Sequence, residues 1–345
     1  MLSANTNMNA PLFTLFIPSY NGGAYLKESV ASVLAQTFRD WELIVLDDGS
    51  TDNSVKWLRS LDEPRLRVLE SHHIGIEANW RRSLETEKAP WITFLGQDDI
   101  LDAHFLETIA QLIAQNAAAD IFHAHFRFID ENGKTLRPCR PMPTHETASE
   151  YIAALFSDTR DTYGTGYVLR SEKYDAIGGI APWERLLFAD DALWISMMHG
   201  SQKITSPHQC FACRLHHQSV SGAPPWRSWA NAMEHYIAFL HDIGARDKTI
   251  HRVLEVHAPS YFLRWCRNVY SLALMQATKR NQCVEHDAHR VLVVRLEQWQ
   301  SGLGAQLRDS TSVKLREKIN RFWLARQLYR FYIRARYGKS HLKTS

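Results

Sequence analysis

Two apolar runs that each stop on a pair of aspartates constrain this chain more than any other feature. Leu43-Ile44-Val45-Leu46 ends in Asp47-Asp48, and Trp91-Ile92-Thr93-Phe94-Leu95 leads through Gly96-Gln97 to Asp98-Asp99. Each run is short, apolar and bounded by turn residues, the pattern of a buried strand. Adjacent like charges at a strand end call for a counter-ion. In an open α/β sheet the carboxyl ends of the strands line the ligand crevice, so acidic pairs on separate strands converge there. Magnesium or manganese would neutralise them and hold a phosphate. Capping of the following helix is the competing use of either aspartate.

The rest of the first two thirds alternates in the same way. Residues 12–17 form a first strand, stopped by Pro18-Ser19-Tyr20-Asn21-Gly22-Gly23. Leu26, Val30, Val33 and Leu34 share one helix face. After the strand at 42–46, Ser50, Thr51 and Asp52 offer helix caps. A third strand is expected over 65–70, helix from Asn79 to Leu84, and an amphipathic helix carrying Phe105, Ile109 and Ile113. Strand follows over 120–129, then the turn Glu131-Asn132-Gly133-Lys134, a proline-rich surface loop over 137–145, helix near Glu150 and a short strand at 167–169. Such alternation predicts an α/β fold, a mostly parallel sheet flanked by helices. A third acidic pair, Asp190-Asp191, opens a helix, and capping accounts for only one of its carboxylates. Gly222-Ala223-Pro224-Pro225 reads as a boundary, with helix beyond it. The expected organisation is an α/β domain over 1–222 and a helical region over 223–345.

At 345 residues the chain is long enough for one large domain with a smaller addition. Residues 1–10 contain no basic residue and no apolar stretch, so no secretory signal is expected there. Five scattered cysteines fit a reducing compartment. The net charge of +3 hides an uneven spread, because residues 312–345 hold ten Lys and Arg against Glu317 alone. There Arg326, Arg330 and Arg334 share a helix face, with Leu324, Leu328 and Phe331 on another. A basic amphipathic helix suits an anionic membrane surface. No nucleic-acid motif accompanies it in the body, so no nucleic-acid partner is expected.

Taken in order, several motifs resemble family 2 glycosyltransferases of the GT-A (Rossmann-like) fold. They are Phe16-Ile17-Pro18-Ser19-Tyr20-Asn21, Val33-Leu34-Ala35-Gln36-Thr37, Leu46-Asp47-Asp48-Gly49-Ser50-Thr51-Asp52, Gly75 with Asn79, Phe94 to Leu101, Ala189-Asp190 with Leu193-Trp194, and Arg214-Leu215-His216. The likeness covers about residues 11–222. It implies inverting transfer of a sugar from a nucleotide diphosphate-sugar to an acceptor hydroxyl. It also implies nucleotide contacts at Pro18, Tyr20, Asp48, Gly75, Asn79, Arg81, Gln97 and Asp98. The family's DXD motif reads Gly-Gln-Asp-Asp here, with Gly96 at the usual first Asp and Asp98 at the metal-contacting position. A site for Mg²⁺ or Mn²⁺ is thus implied at Asp98, joined by His216. The general base falls on Asp190, with Asp191 the competitor one residue away, and Trp183 is the candidate acceptor-stacking ring. A glycan or lipid-linked glycan acceptor, a role in cell-surface polysaccharide assembly and a cytoplasmic location, peripheral on the inner membrane face, complete the expectation. A nonenzymatic nucleotide-binding protein is the alternative. Cys210-x-x-Cys213 ahead of His216 and His217 lacks a second ligand pair, so buried thiols are expected rather than zinc.

Overall fold

A computed structural model describes residues 11–216, 224–280, 286–309 and 311–322, together with 327, 328 and 331. It divides into two compact units, Met1–Gly222 and Ala223–Ser345.

The first unit is built on one sheet. Strand β1 (Phe13–Ser19) lies between β2 (Trp41–Asp47) and β4 (Trp91–Phe94), and β3 (Leu66–Glu70) pairs with β2, all in parallel. β1 is central, so both of its faces are covered. Phe13, Leu15 and Ile17 enter the main core, while Phe16 stacks on Phe94, which in turn stacks on Trp80. Fully burying each such aromatic contributes roughly 1.5–3 kcal/mol. Crossover helix α1 (Gly23–Leu34) buries Leu26, Val30 and Val33, the expected face. Helices α2 (Ser54–Arg59) and α3 (Ile76–Arg81) close the next two crossovers.

Beyond β4 the sheet becomes mixed, which the alternation did not reveal. Short β5 (Ile100–Leu101), α4 (Phe105–Gln115), β6 (Ile121–Ile129), β7 (Thr135–Pro138), β8 (His145–Glu146), α5 (Ala148–Phe156), β9 (Val168–Arg170), α6 (Ser171–Ala176), α7 (Ala189–Met198) and β10 (Lys203–Arg214) follow in sequence. β9 inserts antiparallel between β4 and β6, and β10 runs parallel to β6, giving the order β3-β2-β1-β4-β9-β6-β10-β5. The expected loop over 137–145 carries the end of β7 and the start of β8. Lys203, Pro207 and Gln209 disguise β10 as non-strand. The register shifts between Ser206 and Gln209 absorb Pro207, a residue tolerated at bulges because it cannot donate to the ladder.

The second unit is helical: α8 (Trp226–Arg246), α9 (Lys248–Lys279, with Pro259 inside), α10 (His286–Trp299), α11 (Leu303–Asp309) and α12 (Thr311–Arg321). Its core holds Met233, Tyr236, Leu240, Phe262, Cys266 and Leu292. Trp229 packs on Trp265 within it. The basic tail at Arg326, Arg330 and Arg334 lies outside the described residues, as do His217 and Cys283. Among the described residues no helix is long and apolar enough to cross a membrane.

Candidate active site

Four chain segments meet where the parallel strands end. Past β1, Asn21 sits at φ 48°, a left-handed conformation that Asn tolerates. Its side-chain oxygen accepts the N–H groups of Thr51 (2.8 Å) and Asp52 (3.2 Å), tying the β1 end to the β2 end. The two aspartates after β2 divide their work. Asp47 Oδ2 accepts the N–H groups of Gly49 and Ser50 and shapes the turn. Asp48, 2% exposed, accepts the N–H of Ile74 (2.7 Å) and of Gly75 (3.1 Å) and pairs with His73 Nδ1 at 2.9 Å. Gly75 is needed there: its φ of 91° and ψ of 159° are open essentially to glycine alone. Tyr20 stacks on His73 at 4.3 Å and forms an exposed aromatic rim beside Asp48.

The turn after β4 supplies the third element. Gln97 Oε1 accepts Ser19 Oγ–H (2.9 Å) and Tyr20 N–H (3.1 Å), so this side chain fastens the β1 end. Asp98 and Asp99 then part company. Asp99 is 1% exposed; its carboxyl accepts from Thr165 Oγ1 at 2.6 Å and from Arg214 N–H at 2.9 Å. Burial, with the Asp98 charge beside it, pushes Asp99 up to about 8. Asp98 turns outward and meets His216 Nε2 at 2.6 Å. The buried Arg214 holds that arrangement, donating from Nε to the Asp98 carbonyl (2.9 Å) and from Nη2 to Glu28 (2.6 Å), over the Tyr25 ring. Thr165 and Arg214 act over long sequence separations, and only the Gly-Thr-Gly stretch and the Arg-x-His spacing mark them in the sequence.

Gly96 is a packing requirement as well as a missing acid. A Cβ there would stand 2.6 Å from Asp99 Oδ2 and 2.9 Å from Asp98 Oδ1. Both contacts are with pinned or neighbouring carboxylates, so a side chain forces the turn to shift. Gly96→Ala and Gly96→Asp are therefore expected to destabilise the fold by about 1–3 kcal/mol, and Gly96→Asp is expected not to tighten cation binding. Urea denaturation of the variants checks the first expectation and calorimetric Mn²⁺ titration the second.

Asp98 and His216 fit a divalent cation in chemistry and number. One carboxylate oxygen and one imidazole nitrogen face each other, and His216 Nδ1 is buried with no hydrogen-bond partner in the structure. Mg²⁺ and Mn²⁺ accept such donors when diphosphate oxygens and water fill the remaining positions. Among the described residues no group of three or more His, Cys, Asp or Glu could hold an ion.

Asp190 and Asp191 lie in the first turn of α7, reached through a strained loop. Arg185, Leu186 and Phe188 all have φ near +60°, costing about 1–2 kcal/mol each. Asp191 is 8% exposed and accepts the Tyr151 hydroxyl at 3.0 Å. Burial and the adjacent Asp190 charge raise its carboxyl well above the usual range. Asp190 is half-buried, accepts the Asp191 N–H at 2.9 Å, and is pushed up to about 6 by burial. Trp183 is half-buried at the start of the same loop. Tyr151, which separates the two carboxylates' roles, carried no local signal.

Asn79 and Arg81, expected on the nucleotide, are bonded within the protein, as Asp48 is. Asn79 is 2% exposed, donates to the Leu46 carbonyl at 2.8 Å and accepts from Arg82. Arg81 donates to the carbonyls of Gly178 (3.0 Å) and Ile180 (2.5 Å). Both groups are engaged in holding α3 in place. Pro18, Tyr20, Asp48, Gly75, Gln97 and Asp98 do gather at the ends of β1, β2 and β4. Cys210 and Cys213 are buried thiols on β10.

Residues 14–178 match the family described as Glycosyl transferase family 2. Among curated relatives, the Escherichia coli UDP-Glc:alpha-D-GlcNAc-diphosphoundecaprenol beta-1,3-glucosyltransferase WfgD is 30% identical over 135 residues, 38% of this chain and 53% of that protein. The chain's matches span between 18% and 57% of the length of its curated relatives. Residues 1–349 of Staphylococcus aureus TarS superpose with a TM-score of 0.60 at 14% identity, covering 93% of this chain and 91% of that one. TarS has also been solved with UDP-GlcNAc, with a TM-score of 0.58 to this chain, 14% identity, and 93% and 92% covered. A Pyrobaculum calidifontis mannosyltransferase in complex with GDP-Man and Mn²⁺ reaches 0.54 at 14% identity, covering 94% and 88%. These neighbours share the GT-A fold.

Proposed function

We propose that this chain, whose residues 14–178 are a glycosyl transferase family 2 domain, is an inverting glycosyltransferase using a nucleotide diphosphate-sugar. The observation that carries the reading is the Asp98–His216 pair, 2.6 Å apart and largely buried, beside that family domain's acidic strand ends. In this reading the nucleoside lies along the ends of β1 and β2, against the Tyr20–His73 rim, and its diphosphate reaches Asp98 and His216. Asp98 and His216 would hold a divalent cation there, which would supply Lewis-acid stabilisation of the leaving diphosphate.

The remaining chemistry belongs to the chain's own groups. Asp190, ionised above about pH 6, accepts the proton of the acceptor hydroxyl as that oxygen attacks the anomeric carbon. The new C–O bond forms on the face opposite the departing diphosphate, which leaves with the electrons of the broken C–O bond. Trp183 offers an aromatic surface at the start of the same loop for the acceptor sugar.

UDP-sugars are the favoured donors, since WfgD is named for UDP-Glc and TarS has been solved with UDP-GlcNAc. By the same likeness to WfgD, the acceptor is a lipid-linked glycan in cell-surface polysaccharide assembly. Work at the cytoplasmic membrane face fits such an acceptor. In α12 and just after it, Leu315 and Phe322 are 59% and 66% exposed close to Lys318, a composition suited to an anionic lipid surface.

A screen of nucleotide-sugars for hydrolysis, with and without Mn²⁺, tests the reading. One UDP-sugar should be turned over, and Asp98→Ala should lower the metal-dependent rate about 10²-fold or more. UDP binding without turnover of any donor would instead favour a nucleotide-binding protein, the reading that the absent acid at Gly96 supports.

A further inference from the structure

Helix α3 stands between the nucleotide crevice and the loop that delivers Asp190. At its N-terminal end, the N–H groups of Ile74 and Gly75 are bound by the Asp48 carboxylate. Two residues later, a Glu77 carboxylate oxygen accepts the backbone N–H of Arg185. At its C-terminal end, Arg81 grips the carbonyls of Gly178 and Ile180. Asn79 anchors the middle of the helix to β2 through the Leu46 carbonyl. One short, doubly anchored helix therefore touches both ends of the segment that leads to Asp190.

The loop needs such an anchor. Arg185, Leu186 and Phe188 are L-residues held at positive φ just before Asp190. Backbone of this kind persists only where its surroundings over-determine it. The Glu77 carboxylate supplies a charge-assisted acceptor for an N–H inside the strained turn. Without it, the loop has a lower-energy route back to ordinary conformations, and Asp190 moves with the loop.

We propose that Glu77 is a positioning residue for the general base, holding the turn after Trp183 through the Arg185 N–H so that Asp190 faces the acceptor. This role rests on the glycosyltransferase reading for its chemistry, but the contact can be tested apart from it. Glu77 is half-buried, and the Asp48 contacts are made by the backbone of Ile74 and Gly75, so removing the Glu77 side chain leaves them in place. The inference separates base positioning from donor binding along a single helix.

The experiment compares the full chain with Glu77→Ala and Glu77→Gln. Gln keeps an oxygen that accepts the Arg185 N–H, whereas Ala does not. Three quantities are read: amide hydrogen exchange over 183–190, UDP affinity by calorimetry, and hydrolysis of UDP-GlcNAc or UDP-glucose with Mn²⁺. Glu77→Ala is expected to accelerate exchange at Arg185 at least tenfold and to lower kcat about tenfold, with UDP affinity within twofold of the parent. Glu77→Gln is expected to restore exchange and kcat to within about threefold. Unchanged exchange in Glu77→Ala overturns the proposal. So does an equal loss of UDP affinity and kcat, which would place Glu77 in the donor pocket. A parent protein that turns over no donor defeats the enzymatic reading, while the exchange comparison still decides the contact.

Discussion

Asp190→Asn is expected to reduce sugar transfer and donor hydrolysis by roughly 10²–10⁴-fold, the usual contribution of a positioned general base. Asn keeps the side-chain oxygen that accepts the Asp191 N–H, so the first turn of α7 survives and the loss is chemical. UDP affinity should stay near that of the parent, because the nucleotide contacts proposed above lie at the ends of β1, β2 and β4, away from α7. The pH profile gives a second check. Burial raises Asp190 to about 6, so the parent protonates this carboxyl, and loses its base, as pH falls through that value. A parental kcat/KM that declines below about pH 6 and an Asp190→Asn residual rate lacking that limb would agree with the assignment. Asp191→Asn should cost far less, about tenfold at most, since that carboxyl is turned to Tyr151 in the interior. The reverse ranking would move the base by one residue and refute Asp190.

Glu146→Ala is the substitution expected to damage stability most. Glu146, Lys203 and Arg160 are 1%, 0% and 7% exposed. Glu146 pairs with Lys203 Nζ at 2.7 Å and with Arg160 Nη1 at 2.6 Å, both from beneath the Tyr151 ring. Burial already draws Lys203 down to about 8, against the pull of Glu146. Removing the one carboxylate leaves two buried cations facing each other, a change that costs about 3–5 kcal/mol. In a domain of this size that is a fall of roughly 10 °C in Tm. Arg59→Ala, which breaks the exposed pair with Glu70, should cost no more than about 1 kcal/mol. Thermal unfolding of the two variants side by side gives the comparison. Equal, small shifts would mean that the interior triad is solvated in a way its burial does not suggest.

The same buried triad lies against Tyr151, which reaches the first turn of α7. Tyr151 sits over Lys203 and Arg160 on one side and holds Asp191 on the other. Loss of Glu146 should therefore disturb α7 as well as the fold.

Much of the first unit was open to reading from residues alone. Alternating apolar strands and amphipathic helices are local patterns, and they named β1 to β4, α1 and α4 with their buried faces. The acidic strand ends offered Asp48 and Asp98 as candidates, and the resemblance to family 2 glycosyltransferases added Asp190 and His216. Strand direction past β4 was not legible, because β9 and β10 choose partners by long-range pairing, and a bulge hides the second of them. Local pattern by itself does not separate the members of each acidic pair; only the family resemblance ranked them. Asp47 and Asp48, Asp98 and Asp99, Asp190 and Asp191 are identical in type and adjacent in sequence. Folding distinguishes them by what each meets: backbone N–H groups around Asp48, Thr165 and Arg214 around Asp99, Tyr151 around Asp191. The sequence by itself determined that carboxylates would crowd the ends of buried strands, because hydrophobic periodicity and turn residues act locally. Only the tertiary structure decided what each carboxylate meets, burying both Asp47 and Asp48 but leaving Asp98 and Asp190 partly exposed beside the buried Asp99 and Asp191, because burial and hydrogen-bond partners come from residues distant in the chain.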